Sequence, residues 1–256
     1  MLSDAQYRQW VMRQIKDPMV RAFWENEFDS YDKKFAQEAI APIQNKVGQL
    51  VMAPAIRNIL GQVRSKIDFR FMMDNTRIFI ANLSKGRLGE DKANLLGAVL
   101  VTKFQLAAMS RATMPETERR DYFLFADEFQ NFSTDSFASI LSEARKYRLC
   151  LTLSHQYMDQ LREEIRKAVF GNVGSIISFR VGPTDASFLE REFGDGYVGN
   201  RFTELANHTV CVKLLMNGHH GEPFKGVTLP PLQLQCGRRE TIIRRSRERY
   251  AMKRKL

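Results

Sequence analysis

The sequence predicts an α/β protein: a mainly parallel sheet with helices on both faces, behind an all-helical N-terminal region. Three observations predict it. From about residue 77 short apolar runs alternate with longer amphipathic segments, the order of strand–helix–strand units. Those runs are apolar throughout, as strands buried on both faces are. Before them, apolar residues recur at three- and four-residue spacing with no strand-like run.

Taken in order, residues 1–70 read as the helical region. "MVRAFWENEFDSYDKKFAQEAIAPIQNKVGQLV" is one long helical pattern, expected to break at Pro42. "APAIRNILGQ" reads as a short helix, with Pro54 near its start and Gly61 just past its end. Residues 71–236 carry the alternation. The strand candidates are "RIFIANL" (77–83), "YFLFADEF" (122–129), "LCLTLSH" (149–155), "SIISFRV" (175–181) and "HTVCVKLL" (208–215). Helices are expected between them at 91–111, 134–148, 158–170 and 184–193. In the second of these, Phe137, Ile140, Leu141, Ala144 and Tyr147 fall on one face, and Glu143, Arg145, Lys146 and Arg148 on the other. Aromatic residues in "AFWENEF" and "FRF" are best explained by core packing, and His219–His220 in "MNGHHGEPF" by a solvated hairpin tip.

The composition bounds the function. Hydrophobic content of 44% suits an ordinary core, and no run of eighteen apolar residues suggests a transmembrane helix. The first residues, "MLSDAQYRQWVMRQ", lack a signal-peptide pattern. Cys150, Cys211 and Cys236 have no CxxC spacing and read as thiols of a reduced, cytoplasmic protein. The formal charge is +10, of which the tail 237–256 carries nine Lys or Arg and two Glu, a net of +7 that leaves +3 for the other 236 residues. Such a tail suits a phosphate backbone or a solvated helix end.

"YFLFADEFQNF" carries the chemistry. An apolar run leads straight into adjacent carboxylates, Asp127 and Glu128, which repel one another unless a cation or hydrogen bonds offset them. In a parallel sheet, ligands bind beyond the carboxyl ends of the strands. There one acid can hold a hydrated magnesium ion while its neighbour orients and deprotonates a water. The plain alternative is a helix-capping Asp followed by a solvent-facing Glu. The next strand ends in "SHQ", placing Gln156 at a neighbouring tip.

"FLFADEFQNFSTDSFASILSEARKYRLCLTLSHQY" resembles the Walker B to sensor segment of the HerA/FtsK superfamily of DNA-pumping ATPases, closest to the TraD-like coupling and conjugative ATPases of type IV secretion. "ANLSKGRLGEDKANLLG" before it and "GNVGSIISFRVGPTDASFLEREF" after it are similar to that family too. The resemblance implies a RecA-like P-loop NTPase core, ATP and Mg2+ as cofactors, and a hexameric ring that moves DNA, alongside type IV secretion or conjugation components. Asp127 then corresponds to the magnesium ligand, acting through water, and Glu128 to the catalytic carboxylate. Gln156 corresponds to the sensor glutamine that touches the nucleotide, and Arg145 to the arginine finger acting on a neighbouring subunit, with Lys146 or Arg148 as alternatives. Any membrane association is expected through partners.

The family's GxxxxGK[ST] is absent, because none of the fifteen glycines is followed by lysine. "SKGRLGED" (84–91) links a strand to a helix but reads better as a tight turn than as an anion loop. The chain is therefore expected to be the C-terminal part of such an ATPase, lacking the Walker A half and its strand. The alternative is a non-catalytic module that docks on DNA or on an active ATPase. A missing strand would leave "LTLSH" and either "SIISFRV" or "HTVCVKLL" with an unpaired edge. For the tail, deletion of residues 238–256 is expected to weaken duplex DNA binding and flatten its salt dependence, each lost phosphate contact reducing the slope of log K against log salt by about 0.9. Unchanged affinity and slope would leave the tail as a solvated helix.

Overall fold

A computed structural model describes residues 2–62, 64–133, 135–194, 200–232 and 236–252. Thr134, the expected first residue of one helix, and residues 253–256 of the tail lie outside them. The chain divides into two compact units, Met1–Val63 and Arg64–Leu256.

The first unit is helical: α1 (Ala5–Met12), α2 (Pro18–Ala22), α3 (Lys33–Met52) and α4 (Pro54–Leu60). Asp4, Asp17 and Asp32 accept hydrogen bonds from the free N–H groups at the starts of α1, α2 and α3. Phe28, Ile40 and Ile56 are buried, and Phe23, Trp24, Tyr31 and Phe35 stack around Phe28 or one another. The expected break at Pro42 does not occur, and α3 runs through it. Pro42 is exposed, and a twenty-residue helix tolerates the loss of one backbone donor there.

The second unit is mixed α/β. It holds α5 (Phe69–Asp74), α6 (Lys85–Leu88), α7 (Glu90–Met109), β1 (Tyr122–Ala126), α8 (Asp135–Glu143), β2 (Leu149–Leu153) and α9 (Glu163–Asn172). There follow β3 (Ile176–Ser178), α10 (Pro183–Phe193), α11 (Asn200–Thr203), β4 (Thr209–Lys213), β5 (Leu215–Met216), β6 (His219–His220), β7 (Phe224–Val227) and α12 (Arg239–Tyr250). β1 and β2 are parallel, with Tyr122 opposite Leu149 and Ala126 opposite Leu153. β3, β4 and β7 form a separate antiparallel sheet, and β5–β6 a hairpin whose Asn217–Gly218 turn has positive φ at both residues. The sheets are thus small and mixed rather than one mainly parallel sheet. His219 and His220 lie exposed beside the hairpin turn.

Two expectations need correcting. Residues 77–83 are extended but not a strand: 78–83 make no backbone hydrogen bond to a described residue, and a strand exists only by its partner. Phe79 packs on Phe69 and Phe104, while Ile78 and Ile80 are 89% and 79% exposed. Nor is the β1–β2 sheet covered on both faces. Tyr122, Leu124 and Ala126 pack on the core built by α7, α8 and α9, but Phe123 and Phe125 are 61% and 72% exposed. An apolar run satisfies the pattern of a doubly covered strand, yet covering it takes a helix that the described residues do not place there.

α7 with the turn after it, Glu90–Thr113, is the one helical stretch among the described residues long and apolar enough to span a bilayer. Its Ala93, Gly97, Val101, Phe104, Ala107 and Ala108 are buried, so its apolar face is used in this core.

Arg111 follows α7 and is fully buried. Its Nε donates to Asp74 at 2.9 Å, and its Nη1 donates to the carbonyls of Arg120 and Tyr147, both at 2.9 Å. Burial pushes the guanidinium pKa down and Asp74 pushes it back up. Removing one partner of a buried charged pair costs about 3–5 kcal/mol. Arg111→Met should therefore cost about that much in urea unfolding, with Arg111→Lys recovering part of it; a loss under about 1 kcal/mol would show that water replaces the guanidinium.

Among the described residues β2 pairs with β1 alone and β3 with β4 alone, whereas β4 is paired on both sides. Open edges beside exposed Phe123, Phe125 and Ile177 form a template for association. The purified chain is accordingly expected to self-associate at tens of micromolar. A sharp, stable monomer in size-exclusion chromatography with light scattering would count against that reading.

Candidate active site

β1 and β2 end together, and their ladder explains the site. Ser154 N–H donates to Ala126 O at 3.1 Å. In an unbroken parallel ladder the next bond would run from Glu128 N–H to Ser154 O. Instead Phe129 N–H makes it, at 3.0 Å, so one residue is inserted and the chain bulges at the two carboxylates. Glu128 takes the bend, with φ +49° and ψ +48°, a left-handed conformation costly for a residue with a Cβ. Its displaced N–H finds Asp127 Oδ1 at 3.1 Å. Phe129 and Phe137 are fully buried and stacked, anchoring the far side of the bulge. Gly97 lets Phe132 press onto α7, since a Cβ there would meet the ring at 2.0 Å.

The carboxylates are held by different donors. Ser154 Oγ donates to Asp127 Oδ1 at 2.5 Å, while Asp127 Oδ2 makes no hydrogen bond to a described residue. Gln156 Nε2 donates to Glu128 Oε1 at 3.0 Å, and Asn131 Nδ2 to Glu128 Oε2 at 3.3 Å. Asp127 is exposed and Glu128 half-buried. Opposite-facing amides thus fix the Glu128 carboxylate, while Asp127 keeps one oxygen for solvent or a hydrated cation. Among the described residues no three His, Cys, Asp or Glu side chains cluster as a metal site.

A polar cleft of about 440 Å³ opens here, lined by Lys85, Glu90, Glu128, Gln130, Asn131, Gln156 and Gln160. Gln130 Oε1 is buried with no hydrogen-bond partner among the described residues. His155 points away: its ring meets Phe129 edge-on and its Nε2 lies 3.2 Å from Met158 Sδ. Burial pushes its pKa down, opposed by Asp185. Asp185 is itself buried and accepts the Met158 N–H at 3.3 Å, tying the loop after Gln156 to α10.

No protein-family model matches the chain, and no curated protein matches it.

Asp127, Glu128 and Gln156 are therefore brought together, and the capping reading of Asp127 fails because its carboxylate serves β2 rather than a helix. Arg145 is not part of the assembly. It sits exposed in the turn Ala144–Tyr147, at the opposite end of β2 from Ser154, with Lys146 and Arg148 beside it. Three participants went unassigned in the sequence. Ser154 and Asn131 stand within quoted motifs, two residues before Gln156 and three after Glu128. Lys85 stands in the turn read as merely tight.

Proposed function

We propose that this chain is the carboxylate-bearing half of an ATP-driven DNA-translocation motor of the type IV secretion or conjugative coupling kind. It would act in a ring, as a hexamer, with a segment that supplies GxxxxGK[ST]. The observation that carries the reading is the pairing of Glu128 with Gln156 across two parallel strand ends, beside Asp127, over a polar cleft.

Magnesium-bound ATP would supply the transferable phosphoryl group, and the metal would offset the charge that develops on it. Asp127 would hold that metal through water. Glu128, with both oxygens anchored, has further lone pairs to orient the attacking water and accept its proton. Gln156, just past the end of β2, fixes that carboxylate at the end of β1. Arg145 faces solvent a strand-length from this site, which suits action on a neighbour and excludes action on its own Glu128. The exposed arginines of α12 suit a phosphate backbone.

A second reading keeps the chain non-catalytic, docked on DNA or an active ATPase. It rests on the absence of GxxxxGK[ST] from these 256 residues, read as a true loss.

Phosphate release with magnesium and DNA separates the two. The 256-residue chain alone is expected to bind ATP weakly and release none, for want of a phosphate loop. Metal-dependent release by the chain alone, abolished in Glu128→Gln, would overturn that expectation. Joined by a polypeptide encoded in frame upstream of the Met1 codon, it should release phosphate, and Glu128→Gln should cut the rate by about a hundredfold or more. A pair that releases none, or is indifferent to Glu128→Gln, leaves the docking module.

A further inference from the structure

Lys85 lies forty-three residues before Glu128 in the chain and on the wall of the same cleft. Its Nζ donates to Glu90 Oε1 at 2.8 Å and to Asn131 Oδ1 at 3.1 Å. Asn131 in turn donates from Nδ2 to Glu128, to its carboxylate at 3.3 Å and its carbonyl at 3.1 Å. We propose that Lys85 is a positioning residue for Glu128, acting through the amide of Asn131. Its catalytic meaning rests on the role given to Glu128 above.

The chemistry of the donors decides the direction of the relay. An ammonium has three donors and no acceptor, so the atom of Asn131 that faces it must be the oxygen. That choice turns the amide nitrogen toward Glu128, whose carboxylate can only accept. Both ends of Asn131 thus agree on one orientation, and Lys85 selects it. Without the lysine the amide would be held at its Glu128 end alone, by the carboxylate and carbonyl that accept from Nδ2, and would hold Glu128 less firmly at the point where the bulge already strains the backbone.

A phosphate-binding role for Lys85 is less well supported. Glu90 and Glu128 line the same cleft, so carboxylates outnumber the one cation, and two of its three donors are taken. Glu90 is the counter-ion that fixes the ammonium beside Asn131. Lys85 holds the Glu90 pKa below the usual carboxylate range, chiefly through their hydrogen bond. The turn 84–89 that delivers Lys85 is pinned by Leu88 N–H to Ser84 O at 3.1 Å and Gly89 N–H to Lys85 O at 2.8 Å. Gly89, at φ +83°, lets the chain turn directly into α7 and Glu90.

The test reads the side-chain amides of Asn131 and Gln156 by NMR in the full chain, with no nucleotide present. In Lys85→Met the Asn131 amide protons should exchange about tenfold faster, and those of Gln156 measurably faster, while the melting temperature is unchanged. Lys85→Arg should restore protection. Adding Asn131→Ala to Lys85→Met should change Gln156 no further than Asn131→Ala alone, as members of one relay do. Unaltered Asn131 exchange in a folded Lys85→Met chain would overturn the proposal. If Lys85→Met melts early, Lys85→Arg decides: protected amides support the relay and unprotected ones overturn it. Because no ATP is used, the relay can pass in a chain that never hydrolyses ATP and fail in one that does.

Discussion

Two carbonyls meet Nη1 of the buried Arg111, one from Arg120 and one from Tyr147. Each lies two residues ahead of its strand, so the guanidinium bridges β1 and β2 at matching positions just outside their ladder. Asp74 supplies the counter-charge and receives Arg70 as well. Arg119 closes the same region, donating to Met114 O and Lys146 O and lying over the Tyr147 ring. Register set here is inherited at the other end of two five-residue strands, where a slip of one residue would separate Ser154 and Gln156 from Asp127 and Glu128. The inner polar cluster thus governs the outer one, although they share no side chain. Nη2 of Arg111 is buried with no partner among the described residues.

At the outer end the decisive feature is one extra residue. Had the ladder continued unbroken, Glu128 N–H would have served β2 and its side chain would have alternated with those of its neighbours. The insertion turns the Glu128 backbone into the left-handed region and brings its carboxylate between the amides of Gln156 and Asn131. Backbone cost of this kind persists only where surroundings over-determine it. Here they do: stacked Phe129 and Phe137 beneath, Ser154 on two sides, and the Lys85–Asn131 relay above.

The second unit is at the same time unfinished on its surface. Phe123 and Phe125 are exposed on β1, and Ile78 and Ile80 on the extended segment 77–83. In water such a face is unfavourable by the same hydrophobic effect that builds the core beneath it. The site is organised while, among the described residues, the sheet beside it stays two-stranded.

Much of this was legible in residues. The apolar run of β1 ending in Asp127–Glu128, the next run ending in Ser154–His155–Gln156, and the amphipathic spacing of α8 put carboxylates and amide at adjacent strand ends, because parallel strands joined by one helix align their tips. Pro54 and Gly61 marked α4, because φ preferences are local; the expected hairpin has His219–His220 at its tip, whereas Asn217–Gly218 make the turn and the histidines form β6. Other features had no local signature. Whether "RIFIANL" becomes a strand depends on a partner, and whether Phe123 is covered depends on a helix. β3 and β4 pair antiparallel although each reads like a parallel strand, since an apolar run encodes burial and not direction. Lys85 lies far from Glu128 in the chain, and Arg111 looked like one more basic residue at a helix end. The sequence by itself determined which chemical groups are present and which short segments carry them. The tertiary structure alone decided which groups meet, because hydrogen bonds between distant residues exist only once register and packing have brought their donors and acceptors within 3 Å or so of each other.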